Sequence, residues 1–334
     1  MKYIRIGLLM LSLSLSASLT FASGLATPSG PLAFTFGPTA PTSRTFPPSP
    51  AIVAPLAPGP GDSIDFVTIL KRSGPYDTAQ RQTFPSFTYQ SPSDPALTRL
   101  RLKYHLDSVA GNGGDIDKAI RLLEWFHDQV PHADVAPLPV LTAENIIATY
   151  KTRHYSQGCY PLSVAMTEIF LSMGFKSRSV ICFSNKYPVP SGGHVINTVY
   201  IPSLGKWIYM DPQNNAYIKD ENGIFLSIEE VRQRLIDGRP LVLNATANYH
   251  HVPDRKEDYL YTFMAQHIYR MICPLNSRFD SETRSTGKLL EYVELLPSGS
   301  IDPLVDGYET GKRKNYSVIC YHTNNNRLFW QNPD

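Results

Sequence analysis

The chain has 334 residues, 31 Lys and Arg against 29 Asp and Glu, and a net charge of +2. This near balance offers no electrostatic attraction to polyanions, so a nucleic-acid partner is not expected. Four cysteines are too few for a dense disulfide framework, the apolar share of 42% is that of a globular protein, and no internal repeat is visible.

Residues 1–22 read as a secretory signal peptide. Lys2 and Arg5 supply the positive end, Ile6 to Leu19 the apolar or small stretch, and Thr20-Phe21-Ala22 a small-x-small cleavage site. The expected location is therefore periplasmic or extracellular. No cysteine follows the apolar stretch, which excludes a lipoprotein anchor there, and no later run is long enough to leave a membrane span after cleavage. Residues 23–62 hold ten of the 28 prolines. Proline donates nothing to a ladder and disfavours helix before it, so this segment is expected to be a disordered linker or surface-wrapping arm.

A catalytic domain is expected over 63–245. Asp94-Pro95 is an N-cap followed by a first-turn proline, with Leu97, Leu100, Tyr104 and Val109 on one face; Gly111 to Gly114 ends that helix. Asp115 to Val130 places Ile116, Ala119, Ile120, Leu123 and Phe126 on one stripe. His127, Asp128, His132 and Asp134 follow, but their spacing fits neither a helical i, i+4 histidine pair nor a zinc finger, so no metal is expected. Thr142 is placed to cap a short helix through Tyr150.

The stretch 155–212 carries the chemistry. Leu162, Ala165, Met166, Ile169, Phe170 and Met173 form a helical stripe, with Pro161 in the first turn and Gly174 at the stop. Cys159 thus lies at the helix N-terminus, where the dipole and unpaired N–H groups favour a thiolate. Ser177 to Phe183 reads as a strand, Asn185 to Gly193 as a loop suited to one wall of a substrate groove, and His194 to Ile201 as a strand that returns after a turn through Lys206 to Asp211. Symmetric pairing sets His194 opposite a position near 211 to 214, within reach of Asp211. The histidine lies 35 residues after the cysteine and the aspartate 17 further on. A thiol, a base within reach and a group that orients the base make the layout of nucleophilic catalysis.

Gln157-Gly158-Cys159-Tyr160 at a helix start, Gly193-His194 opening a strand and Trp207-Ile-Tyr-Met-Asp211-Pro212 closing the hairpin resemble the Cys, His and Asp boxes of the transglutaminase-like superfamily, over roughly residues 95 to 240. Transglutaminases themselves usually carry Gly-Gln-Cys-Trp, an order that differs here. The resemblance implies an α+β, cysteine-protease-like fold, with helices packed on an antiparallel sheet and the nucleophile at a helix N-terminus. It also implies a Cys159–His194–Asp211 triad acting on peptide or protein amides without a cofactor. Gln157 and Tyr160 are oxyanion or substrate candidates by position.

Three functions remain open at this point: a cysteine peptidase or amidase, a cross-linking transglutaminase, and a peptide-binding module that does not cut. A papain-like enzyme would put its histidine roughly 130 residues after the cysteine, far from the spacing found. Beyond Asp211, Tyr217 to Phe225 reads as a hairpin, and Ser227 to Glu230 as a capping box for a helix ending at Gly238. A C-terminal extension, 246–334, is expected to pack on the core: a helix from Leu260 to Met271, strands at 289–296 and 316–321, and a His250-His251 pair assigned to packing or surface. Cys182, Cys273 and Cys320 are either three free thiols or include a Cys273–Cys320 bridge.

Overall fold

The computed structural model describes residues 65–79, 84–185, 193–299 and 308–333. The expected signal peptide and linker, and most of the loop before His194, lie outside the described residues. Among the described residues, no helix is long and apolar enough to cross a membrane.

The fold is α+β. Among the described residues, seven helices lie between 66 and 237: α1 (Phe66–Lys71), α2 (Pro95–Lys103), α3 (Leu106–Ala110), α4 (Asp115–His127), α5 (Ala143–Arg153), α6 (Cys159–Ser172) and α7 (Ile228–Asp237). Their local chemistry follows the residues. Asp94 caps α2 by accepting from the Ala96 N–H at 2.8 Å, with Pro95 in the first turn. The expected single helix from 95 to 109 is split, because His105 adopts a left-handed conformation and starts α3. Thr142 caps α5 through the Asn145 N–H. At α7 the Ser227 and Glu230 side chains bond each other's backbone N–H at 3.1 and 2.7 Å, a complete capping box. Gly238 closes that helix at φ 67°.

Seven strands make one sheet: β1 (Ser177–Phe183), β2 (Gly193–Ile201), β3 (Lys206–Met210), β4 (Arg270–Pro274), β5 (Leu289–Leu295), β6 (Tyr308–Lys312) and β7 (Ser317–Thr323). Their order is β6-β7-β5-β4-β1-β2-β3. Every pairing is antiparallel except β5 with β7, so the sheet departs from the expected antiparallel form at that point. The C-terminal strands continue the same sheet as the cysteine–histidine region. Arg270 of β4 pairs with Glu294 of β5, which also accepts from His322 of β7 at 2.8 Å, so one buried ionic chain ties three neighbouring strands. The expected helix over 260–271 is instead a π-helical segment, Glu257–Met264, followed by Ala265–His267; Met271 belongs to β4. The expected hairpin at 217–225 forms: Lys219 bridges Phe225, the Asp220 N–H donates to the Ile224 carbonyl at 2.8 Å and the Leu226 N–H to the Ile218 carbonyl at 2.9 Å, while Ile218–Lys219 also pairs with Val242–Leu243.

Both faces of the sheet are covered. On one, Val199, Ile201, Ile208 and Met210 meet Leu162, Ala165, Met166 and Ile169 of α6, with α4 and α5 outside them. On the other, Val180, Ile196, Tyr209, Met271 and Val293 meet α1, α7 and the π-helical segment. Double coverage explains why β1 is buried at every position and shows no polar alternation. Arg178 of β1 is wholly buried: its guanidinium lies 4.2 Å from the Phe87 ring centroid and 4.4 Å from that of Trp207, and donates to the Phe329 carbonyl at 2.9 Å. Those contacts hold the C-terminal segment against the sheet.

All four cysteines are free. Cys273 on β4 and Cys320 on β7 flank β5, two strand spacings or about 10 Å apart, beyond the Cα separation a disulfide spans. Thiol titration of unfolded, unreduced protein should therefore count four. Arg178→Ala should lower the unfolding free energy by about 3 kcal/mol in chemical denaturation. Arg178→Met fills the space without the carbonyl bond and should cost about 1 kcal/mol.

Candidate active site

Cys159 is the first residue of α6, with Gly158 as the extended N-cap. Its position is set by a short parallel bridge between His132 and Gln157, in which the Ala133 N–H donates to the Gln157 carbonyl at 2.9 Å. The thiol is half-buried and sits in the wall of a cavity of about 850 Å³. His194, Tyr160, Gln213, Asn214, Tyr249, Tyr259 and Phe263 also line it.

His194 is the second residue of β2. A Cβ on the residue before it, Gly193, would lie 2.8 Å from the Phe183 ring, so glycine permits the close approach of β1 and β2 there. The β2–β3 ladder pairs Asn197 with Met210 and stops. Extending that register sets 194 opposite 213 and makes 211 its diagonal neighbour on the same face, since side chains alternate with period two. His194 Nε2 and Asp211 Oδ2 are 2.7 Å apart, with side chains 1% and 0% exposed. Because the ladder has ended, the Val195 N–H has no partner from β3 and, with the His194 ring, favours the ionised Cys159 thiol.

Asp211 has further donors. The Gln213 and Asn214 N–H groups reach Oδ1 at 2.9 and 3.3 Å, and the Tyr259 hydroxyl donates to Oδ2 at 2.7 Å. Tyr209 in turn donates to the Tyr259 oxygen at 2.5 Å. The Phe263 ring packs 4.9 Å from the His194 ring.

These contacts set the protonation states. Burial alone would raise the Cys159 thiol, but hydrogen bonds from His132 and His194, the His194 charge and the Val195 N–H outweigh it and bring the pKa to about 6. For His194, burial favours the neutral ring; the charge and hydrogen bond of Asp211, with Cys159 behind them, outweigh it and raise the pKa to about 10. Burial works against ionised Asp211 too, yet His194, Tyr259 and Gln213 hold it below the usual carboxylate range. Burial instead pushes Cys273 up to about 12 and Cys182 well above its ordinary value. Cys159 is thus electrostatically distinct from these two buried thiols.

A model of one family matches this geometry's segment, described as the transglutaminase-like superfamily, over residues 103–212. Residues 103–212 are thus similar to the transglutaminase-like core. That core runs from the end of α2 to the residue after Asp211 and includes α6, β1, β2 and β3. Among curated proteins, none matches the chain. A solved structure of a candidate cysteine protease from Cytophaga hutchinsonii is 16% identical to it, with a TM-score of 0.29 over 42% of this chain; the match spans 43% of that structure's length.

Cys159, His194 and Asp211 come together; of the two oxyanion or substrate candidates, Tyr160 lines the same cavity and Gln157 does not. The Gln157 amide is wholly buried, donating to the Ser156 carbonyl at 2.7 Å and accepting from the Leu138 N–H. Tyr160 borders the cavity, but its hydroxyl donates to Glu282 at 2.5 Å. The four residues weighed as metal ligands do not converge. His127 spends its ring nitrogens on the Pro212 carbonyl and Asn248, at 3.1 and 3.0 Å, whereas His132 turns into the cavity. Sequence reasoning missed Tyr249, Tyr259 and the part of His132 in lowering the Cys159 pKa. Tyr259 stands 48 positions after Asp211, Tyr249 sits in a strand of two residues and His132 in a loop, so no periodic pattern flags them.

The folded pKa of Cys159 lies below its ordinary value, so its ionisation stabilises the fold at high pH and is lost as pH falls through about 6. The folded pKa of His194 lies above its ordinary value, so its charge stabilises at low pH and is lost as pH rises through about 10. The thiolate–imidazolium pair should persist between those limits. Iodoacetamide alkylation of Cys159 should rise with a midpoint near pH 6, and in His194→Ala that midpoint should move up toward the ordinary thiol range, roughly pH 8.5.

Proposed function

We propose that this protein is an exported cysteine peptidase or amidase that cleaves peptide or protein amides with a Cys159–His194–Asp211 triad. The observation that carries the proposal is the continuous chain of contacts from a half-buried, low-pKa thiol through His194 to a buried carboxylate, opening on a cavity large enough for a peptide.

The Cys159 thiolate attacks the amide carbon, and the carbonyl π pair moves onto oxygen. The first-turn N–H of Cys159, which helix geometry leaves without an intrahelical acceptor, is placed to hold that oxygen. The His194 imidazolium gives its proton to the departing amine as the C–N bond breaks and a thioester forms. Neutral His194 then takes a proton from water, whose oxygen attacks the thioester; collapse returns the thiolate and releases the acid. Asp211 keeps the ring oriented throughout and favours its charged form. Export, read from residues 1–22, places the enzyme in a large excess of water, which favours hydrolysis over transfer to an amine.

Incubation with a glutamine-containing peptide and a labelled primary amine separates the outcomes. Cleavage or deamidation without label is expected. Incorporation of the amine would replace hydrolysis with cross-linking, and a Cys159 that alkylates slowly at every pH would leave a binding module. Asp211→Asn should lower kcat by on the order of 10³-fold with KM little changed.

A further inference from the structure

Beside Cys159 stands a second imidazole with no part in the triad. His132 lies on the loop after α4, is 8% exposed and lines the cavity with Cys159, whose thiol it helps to hold below its ordinary pKa. Its backbone is bridged to Gln157, two residues before the cysteine, so the loop is tied to the start of α6. Its ring is held from the opposite side. The Tyr249 hydroxyl is 2.9 Å from Nδ1, and Asp134 lies 3.6 Å from Nε2, beyond hydrogen-bond length. His250, stacked on Tyr249 at 4.1 Å, bonds the His132 carbonyl at 2.8 Å. A two-residue hairpin, Asn248–Tyr249 with Val252–Pro253, presents this clamp.

We propose that His132 is the second oxyanion donor of the site, clamped by Tyr249 and His250. This deepens the hydrolase reading above and rests on it. With Tyr249 donating to Nδ1, the ring is the Nε2–H tautomer, and Nε2–H is the donor left on the cavity side. When the thiolate attacks and the carbonyl π pair moves onto oxygen, that oxygen develops beside the sulfur, between the Cys159 backbone N–H and His132 Nε2–H. His132 donates a hydrogen bond and transfers no proton; His194 alone carries protons. Gln157 and Tyr160, whose donors are committed elsewhere, leave this place to His132.

The two effects available to His132, stabilising the thiolate and stabilising the oxyanion, separate with two small probes. Iodoacetamide alkylates the sulfur without forming an oxyanion; p-nitrophenyl acetate acylates it through one. In His132→Ala the ratio of acylation to alkylation rates, measured at about pH 9 where the thiol is ionised, should fall about 100-fold. His132→Gln, which retains an N–H donor, should recover to within about tenfold of the unaltered protein, and Tyr249→Phe should show an intermediate loss as the ring's tautomer and orientation are freed. A ratio unchanged in His132→Ala, with both rates falling in parallel, would overturn the oxyanion role and leave only an effect on the thiolate. Failure of the unaltered protein to be acylated by p-nitrophenyl acetate, despite rapid alkylation, would sink the hydrolase reading itself.

Discussion

The contact on which the site depends is the 2.7 Å pairing of His194 with Asp211, sealed from solvent. A carboxylate placed there without partners would be neutralised by burial, and an imidazole alone would lose its proton for the same reason. Each keeps the other charged. The arrangement is affordable only because Asp211 also receives two backbone N–H groups and the Tyr259 hydroxyl, so that no oxygen is stranded. The charged ring then pulls the Cys159 thiol down, against a burial effect that pushes the other way.

A gap in the sheet makes the meeting possible. α6 packs on the face of β2 that carries Val199 and Ile201, whereas His194 points to the face that carries Ile196. A complete β2–β3 ladder would separate the two. Because pairing stops at Asn197 and Met210, the residues at the start of β2 are open at that edge, and the Val195 N–H and the His194 ring both favour the Cys159 thiolate. Early termination of one ladder thus lets groups on opposite faces share one pocket.

The match to the transglutaminase-like superfamily ends at residue 212, yet the site's supports continue well past it. Tyr259 and Phe263 brace the His194–Asp211 pair, and Tyr249 with His250 grips the loop of His132. The same C-terminal third donates four of the seven strands to the sheet. It completes the core and the pocket together.

Much of this was legible in the chain itself, for identifiable reasons. The α6 stripe, the capping box at Ser227 and the strands around 177–183 and 194–201 are local patterns, set by periodicity and by side chains bonding their own backbone. The spacing of Cys159, His194 and Asp211 follows from one helix, one strand and one hairpin in succession. Other expectations failed where local preference competes with distant contacts: Met271 reads as helix but is drawn into β4 beside β1, and His105 breaks a periodic helix with a left-handed residue no pattern announces. The sequence alone determined which residues could form a charged thiol–imidazole–carboxylate chain, because those are neighbours in successive elements. Only the tertiary structure decided that Gln157 turns inward, that His132 turns to the sulfur and that Tyr259 completes Asp211, because those choices depend on which hydrogen bonds remain unfilled once segments far apart in the chain have packed.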